Sequence, residues 1–156
     1  MLSRRMLTGG GISLPRLPAP IDEVFTFFDD PGNLGRLMPP PVSIRLASID
    51  PAPPRPGSMF TFRYGLGPFQ RTWTVRLLDR VRNERFVDET ISGPMARFVH
   101  SHTFSAGRRG TWIEDRIDFH VGPDGRLGEI VDAAAGIVMR LTFVWRAARQ
   151  RQILRG

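Results

Sequence analysis

EIVDAAAGIVMRLTFVWRAARQRQIL, residues 129–154, is the one stretch of the chain that reads as a long helix. At 100° per residue, Ile130, Ala134, Ile137, Val138, Leu141, Val144, Trp145 and Ala148 fall on one side, while Asp132, Arg140, Arg146 and Gln150 fall elsewhere. The apolar side is therefore expected to be the one that packs. Mid-helix it thins to Ala133, Ala134, Ala135 and Gly136, which suits either close packing or a gap left for something else. Residues 41–120, by contrast, read as short alternating strands, so the task left to them is to bury this helix.

Working back toward the N-terminus, the turn signals Gly122, Pro123, Asp124 and Gly125 separate the helix from the last strand. In that strand Thr111, Ile113, Asp115, Ile117 and Phe119 share one face, with Trp112, Glu114, Arg116, Asp118 and His120 on the other. The apolar face is clear, and Asp115 sits in the middle of it. The strand before it, 97–105, places Phe98, His100, His102 and Phe104 together. In residues 85–91, Phe86, Asp88 and Thr90 oppose Val87, Glu89 and Ile91, and alternation alone leaves the buried face open.

Three further strands alternate in the same manner around Val42, Ile44 and Leu46, around Phe60, Phe62 and Tyr64, and around Trp73, Val75 and Leu77. The connector 51–57 is too rich in proline to pair. One apolar and one polar face per strand is the signature of an antiparallel sheet covered on one side. Ahead of these, residues 11–17 suit a short edge strand, 20–28 a short helix with Val24, Phe25 and Phe28 as its stripe, and 33–37 a second short helix.

Register decides what the polar groups on the inner face do. A hairpin loop over 105–110 with Phe104 opposite Thr111 places His102 opposite Ile113 and His100 opposite Asp115. A slip of two residues, the smallest that keeps the same faces inward, places His102 beside Asp115 instead. On the other side, a loop through 92–96 sets Asp88 opposite His100. Either register gives a row of Asp88, His100 and Asp115 across three strands. Such a row can be a mutually satisfied structural network, since a buried carboxylate without a partner costs several kcal/mol. It can equally anchor a ligand or move a proton, because histidine beside a carboxylate titrates near neutral pH. His100, His102, Asp88 and Asp115 are thus the candidates for any catalytic role. Two histidines without further clustered ligands make a weak chelate, and no metal or cofactor is expected.

Composition narrows the classes. The 156 residues, 41 % hydrophobic and 24 % charged, suit one globular domain with a real core. With no cysteine, disulfides, thiol nucleophiles and thiolate metal sites are excluded. The net charge of +7 comes from 22 arginines and no lysine, and these are dispersed, the densest group (Arg146, Arg149, Arg151, Arg155) closing the final helix. Cations there meet the C-terminal end of the helix dipole. Nucleic-acid binding is accordingly not expected. Nor is membrane insertion, since no run is long and apolar enough. Ser3, Arg4 and Arg5 have a twin-arginine look, but glycines and prolines follow in place of an apolar segment, so a cytoplasmic protein with a flexible stretch over 1–10 is expected.

The pattern FVDETISGPMARFVHSHTF (86–104) followed by GTWIEDRIDF (110–119) resembles the START-like, helix-grip superfamily (SRPBCC), especially its polyketide cyclase/dehydrase-like and ligand-binding members. The matching positions are Phe86, Asp88, Gly93, Pro94, His100, His102, Phe104, Thr111 and Asp115. Segment 19–40 and the F-x-x-R at Phe143 and Arg146 are also similar. The resemblance implies an α+β helix-grip fold over the whole chain: a seven-stranded, curved antiparallel sheet wrapped around the long C-terminal helix, with two short helices after the first strand. It also implies that Asp88 faces inward, onto a cavity between sheet and helix. Members bind lipid-, polyketide-, quinone- or isoprenoid-like molecules, and some catalyse cyclisation or dehydration, without one shared set of catalytic residues.

The expectation is therefore a small hydrophobic ligand held by Phe60, Phe62, Tyr64, Trp73, Val75, Phe98, Ile117, Ala134, Val138, Leu141 and Trp145, with Asp88, His100, His102 and Asp115 orienting its polar end. A cyclase or dehydratase using a His/Asp pair as general acid and base is the second reading. A protein-interaction module is the third, with Met139 and Phe143, on the less apolar side of the helix, offering a homodimer contact or packing under a loop.

Overall fold

The computed structural model describes residues 12–155; the stretch expected to be flexible, 1–10, lies outside them. In chain order come strand β1 (Ile12–Leu17), helix α1 (Ile21–Asp29), a 3-10 helix (Pro31–Leu37), strands β2 (Val42–Asp50), β3 (Met59–Leu66), β4 (Phe69–Val81), β5 (Arg85–Ser92), β6 (Arg97–Gly107) and β7 (Gly110–His120), and helix α2 (Arg126–Ile153). The seven strands form one antiparallel sheet in the order β1-β7-β6-β5-β4-β3-β2. β1 closes against β7, so the strand nearest the N-terminus and the one nearest the C-terminal helix are neighbours. The α+β helix-grip architecture follows. Among the described residues, no helix is long and apolar enough to cross a membrane.

Local chemistry accounts for the elements. Asp22 and Glu23 sit in the first turn of α1, where carboxylates meet the positive end of the helix dipole. Asp30 ends that helix and starts the next, its side chain accepting from the Gly32 amide at 2.8 Å. A bidentate pair from Arg80 on β4 to Asp29, at 2.6 and 2.5 Å, ties the end of α1 to the sheet. Phe25 carries α1 into the core, edge-on to Phe86 and Phe104.

The β6–β7 hairpin takes the slipped register. Gly107 pairs with Gly110 around a two-residue turn, Arg108–Arg109, so that Phe104 lies opposite Ile113, His102 opposite Asp115 and His100 opposite Ile117. Gly110 has φ +128°, a left-handed conformation that only glycine adopts freely, and this allows so tight a turn. The six-residue loop in the first register is therefore not formed.

Helix α2 corrects the opening expectation. It turns its apolar stripe outward: Ile130, Ile137, Val138, Leu141, Val144 and Trp145 are 40–71 % exposed, and Ala134 and Ala148 are exposed as well. The buried positions are Gly128, Asp132, Phe143, Arg146, Ala147 and Gln150, including three polar residues that the helical wheel leaves off the packing side. Two contacts at the start of the helix set this rotation. Gly128 packs so closely on the preceding turn that a Cβ there would sit 1.6 Å from the Pro123 carbonyl oxygen. One turn on, Asp132 accepts from the amides of Val121 and Gly122 at 2.7 and 3.2 Å and meets His120 Nδ1 at 2.6 Å. These tie the first turns of α2 to the end of β7, and Phe143 follows on the same side, 2 % exposed. Phe143 and Met139 (half-buried against the core) are thereby taken up inside the molecule, so the contact surface expected from them is not available.

Candidate functional site

The inner face of the sheet alternates as the sequence requires. Phe98, His100, His102 and Phe104 of β6, and Thr111, Ile113, Asp115 and Ile117 of β7, are all buried. On β5, Asp88 lies opposite His100, as the loop over 92–96 implies, and it faces inward. His102 is directly opposite Asp115 and His100 is its diagonal neighbour, which lets one carboxylate serve both rings.

Asp115 is fully buried, and its Oδ1 lies 3.0 Å from His100 Nε2 and also contacts His102 Nδ1. The His102 contact is close but off the line of a good hydrogen bond, and Asp115 Oδ2 has no partner. Burial alone would push the Asp115 carboxyl up. The charge of His102 and the hydrogen bonds of His100 and His102 outweigh it and hold the group well below the usual carboxylate range. Burial and the neighbouring His102 push His100 down from its ordinary value, against the opposing pull of Asp115 and Asp88. An ionised Asp115 therefore fixes its two neighbours as His100 Nε2–H and His102 Nδ1–H tautomers. When the rings are neutral, lone pairs are left on His100 Nδ1 and His102 Nε2.

Asp88, His100 and His102 each present one nitrogen or oxygen within 4.8 Å of the others. Burial raises Asp88 to about 6, with the charges of His100 and Arg146 pulling it down and Asp115 pushing it up. A carboxyl with a folded-state value above its unfolded one holds its proton longer in the native state. It supports folding fully below about pH 4, and that support is lost as pH rises through 6. Asp88→Asn is therefore expected to stabilise the fold at pH 7.5 by on the order of 1–3 kcal/mol and to change little at pH 4. Urea titrations at the two pH values check this; equal effects at both would contradict it. The same three groups could grip a cation, but the buried guanidinium of Arg146 at this end of the site works against a second positive charge.

These groups stand together on the wall of an apolar cleft with about 840 Å³ of space between its walls, its open mouth included. Eight residues expected there line it: Phe60, Phe62, Trp73, Val75, Asp88, Phe98, His100 and His102. Trp73 is held by a 2.8 Å hydrogen bond from its Nε1 to Thr90 and stands 5.5 Å from the Phe62 ring. Gly93 makes room for it, since a Cβ there would meet the indole at 2.3 Å. Tyr64, Asp115 and Ile117 are not on the wall; Asp115 lies behind the histidines and Ile117 is packed in the core. Ala134, Val138, Leu141 and Trp145 stand on the outer side of α2 for the reason given above, so the small-residue run 133–136 does not border the cleft.

What closes the cleft instead is the α1 region, through Phe27, Phe28, Leu34 and Leu37, together with Leu77 and Phe86. From α2 comes a residue that the apolar pattern hides, Arg146. Arg146 is 8 % exposed; its guanidinium rests 4.8 Å from the centre of the Phe143 ring and has no hydrogen-bond partner at Nε. The only sequence signal for it is the F-x-x-R spacing of Phe143 and Arg146.

Residues 17–148 match the family model described as polyketide cyclase / dehydrase and lipid transport. The chain belongs to this family. Solved structures agree on the fold. Protein CV1439 from Chromobacterium violaceum is 17 % identical, with a TM-score of 0.68 over 94 % of this chain and 99 % of its own. Protein Ms6760 from Mycobacterium smegmatis is 15 % identical, with a TM-score of 0.65 over 92 % and 88 %. The di-domain ARO/CYC protein StfQ from the steffimycin biosynthetic pathway is 14 % identical, with a TM-score of 0.73 over 97 % of this chain and 52 % of its own. No curated protein matches the chain by sequence.

Proposed function

We propose that the chain binds one small, largely apolar molecule in the cleft between the sheet and the α1 region, with the molecule's polar end turned toward Asp88, His100, His102 and Arg146. The observation that carries this reading is the contrast within one cleft. Aromatic and aliphatic walls from Phe27, Phe60, Phe62, Trp73, Val75 and Phe98 run up to a compact group of titratable side chains. An apolar pocket with a few convergent polar groups is the common form of a small-molecule site. The family's description, which joins lipid transport with cyclase and dehydrase activity, supports the same class of ligand.

Nile red, a neutral apolar dye, is expected to brighten on titration into the purified protein and to be displaced by 1-decanol. Fluorescence no greater than with the denatured chain, across micromolar dye and protein, would remove the binding reading.

A second reading, a cyclase- or dehydratase-type enzyme, is favoured by one detail. Asp115 fixes the histidine tautomers so that a lone pair of His100 or His102 is free to take a proton. In that case His102→Gln abolishes turnover of a substrate while Nile red binding persists. Unchanged turnover would dismiss the histidine as base.

A further inference from the structure

Arg146 is a buried cation on the wall of the cleft. A guanidinium taken out of water needs a countercharge or full hydrogen bonding, or its burial costs several kcal/mol. Here the residue is nine-tenths buried, its Nε is unpaired, and its guanidinium has only the face of the Phe143 ring against it, 4.8 Å away. Burial pushes its pKa down, and the charges of Asp115 and Asp88 only partly restore it. The other acids of the cleft are engaged elsewhere: Asp29 holds Arg80 and Asp30 caps the 3-10 helix. Asp115 is turned to the histidines.

We propose that the ligand of this cleft is a carboxylic acid, its carboxylate paired with Arg146 and its apolar body lying along Phe62, Trp73, Val75 and Phe98. This rests on the binding reading above and narrows it. The planar guanidinium fork matches a carboxylate bidentately, and a low-dielectric cleft strengthens such a pair. A single negative charge suits the site better than a phosphate, because Asp88 stands beside Arg146 and repels a second charge once ionised.

The test compares three probes with the same ten-carbon chain, decanoate, 1-decanol and decylamine, in Nile red displacement at pH 7.5, where decanoate is fully ionised. Decanoate is expected to bind at least tenfold more tightly than the alcohol, with the amine weakest. Arg146→Met should abolish this preference, bringing acid and alcohol to within about twofold of each other; a tenfold preference kept by the folded variant would overturn the proposal. Alcohol and acid binding equally to the wild-type protein would overturn the carboxylate proposal and leave the binding reading standing. If the dye itself fails to bind, both fall. The wild-type ratio needs no variant.

A second observation, independent of the cleft, concerns the outer side of α2. Leu127, Ile130, Ala134, Ile137, Leu141, Val144 and Ala148 are spaced alternately by three and four residues, an unbroken heptad seam, and all are exposed. Val138 and Trp145 flank it. We infer that a second copy of this chain packs its own α2 antiparallel across this seam. A 3.5-residue period matches a partner helix rather than the flat face of a bilayer. Ala133 and Ala134 at mid-helix let two helices approach closely. Exposed stripes from two such helices offer several hundred Å² each, on the order of the ~800 Å² per partner of a stable interface.

Sedimentation velocity at 1–100 µM is expected to show a dimer at the upper end. The double variant Ile137→Glu, Leu141→Glu should be monomeric throughout, with an unchanged thermal midpoint in dilute solution. A wild-type protein that stays monomeric at 100 µM would overturn the inference, and its co-sedimentation with anionic vesicles would assign the seam to a membrane surface instead.

Discussion

Replacing Asp115 with alanine is expected to lower the unfolding free energy by about 3–5 kcal/mol, a large share of what holds a domain of this size together. The carboxylate is fully buried, bonds to His100 and lies in close contact with His102. Without it, two buried imidazole N–H groups lose their partner among the rings of Phe28, Phe86 and Phe104, where water does not readily substitute. Asp115→Asn keeps one acceptor oxygen at the same place and should lose less. Urea denaturation at pH 7.5 reads both. A loss below 1 kcal/mol for the alanine variant would mean that the histidines find other partners and that Asp115 fixes no tautomer.

The second large effect separates the two sides of α2. Phe143→Ala should cost about 3–5 kcal/mol, since a fully buried ring is removed from contact with His100 and the Arg146 guanidinium. Leu141→Ala, two positions earlier, should cost less than about 0.5 kcal/mol in dilute, monomeric protein, because its side chain is 66 % exposed. The helical wheel read from sequence alone expects the reverse order. Measuring both midpoints at sub-micromolar concentration decides between them, and a costly Leu141→Ala with a silent Phe143→Ala would return the apolar stripe to the core.

That contrast marks where the sequence is legible. The sheet is readable because each strand obeys a strict two-residue alternation, and the polar row is readable because Asp88, His100 and Asp115 interrupt apolar faces. The exact pairing needed more: Gly107 and Gly110 permit a two-residue turn, and the slipped register this produces is one of two that alternation accepts. Rotation of α2 was not readable from hydropathy. An apolar stripe reports only that something should cover it, and the wheel cannot tell the chain's own sheet from another molecule. What sets the rotation is short-range and polar, Gly128 against Pro123 and Asp132 on the amides of 121 and 122.

The cleft was half legible for a related reason. Residues on the sheet are placed by alternation, so Phe60, Phe62, Trp73, Val75 and Phe98 could be named in advance. Phe27, Phe28, Leu34 and Leu37 reach the cleft through the long-range docking of α1 and the 3-10 helix, which no local pattern encodes. Arg146 was hidden by its charge, since an arginine on a helix normally reads as a solvated side chain.

The central claim is that the cleft holds a small apolar molecule. Native mass spectrometry of the purified protein, compared with the same sample after denaturation, tests it most directly. A folded-state mass exceeding that of the chain by one small molecule, released on denaturation, is the expected result. A folded-state mass equal to that of the bare chain, together with no uptake of added Nile red, would contradict it.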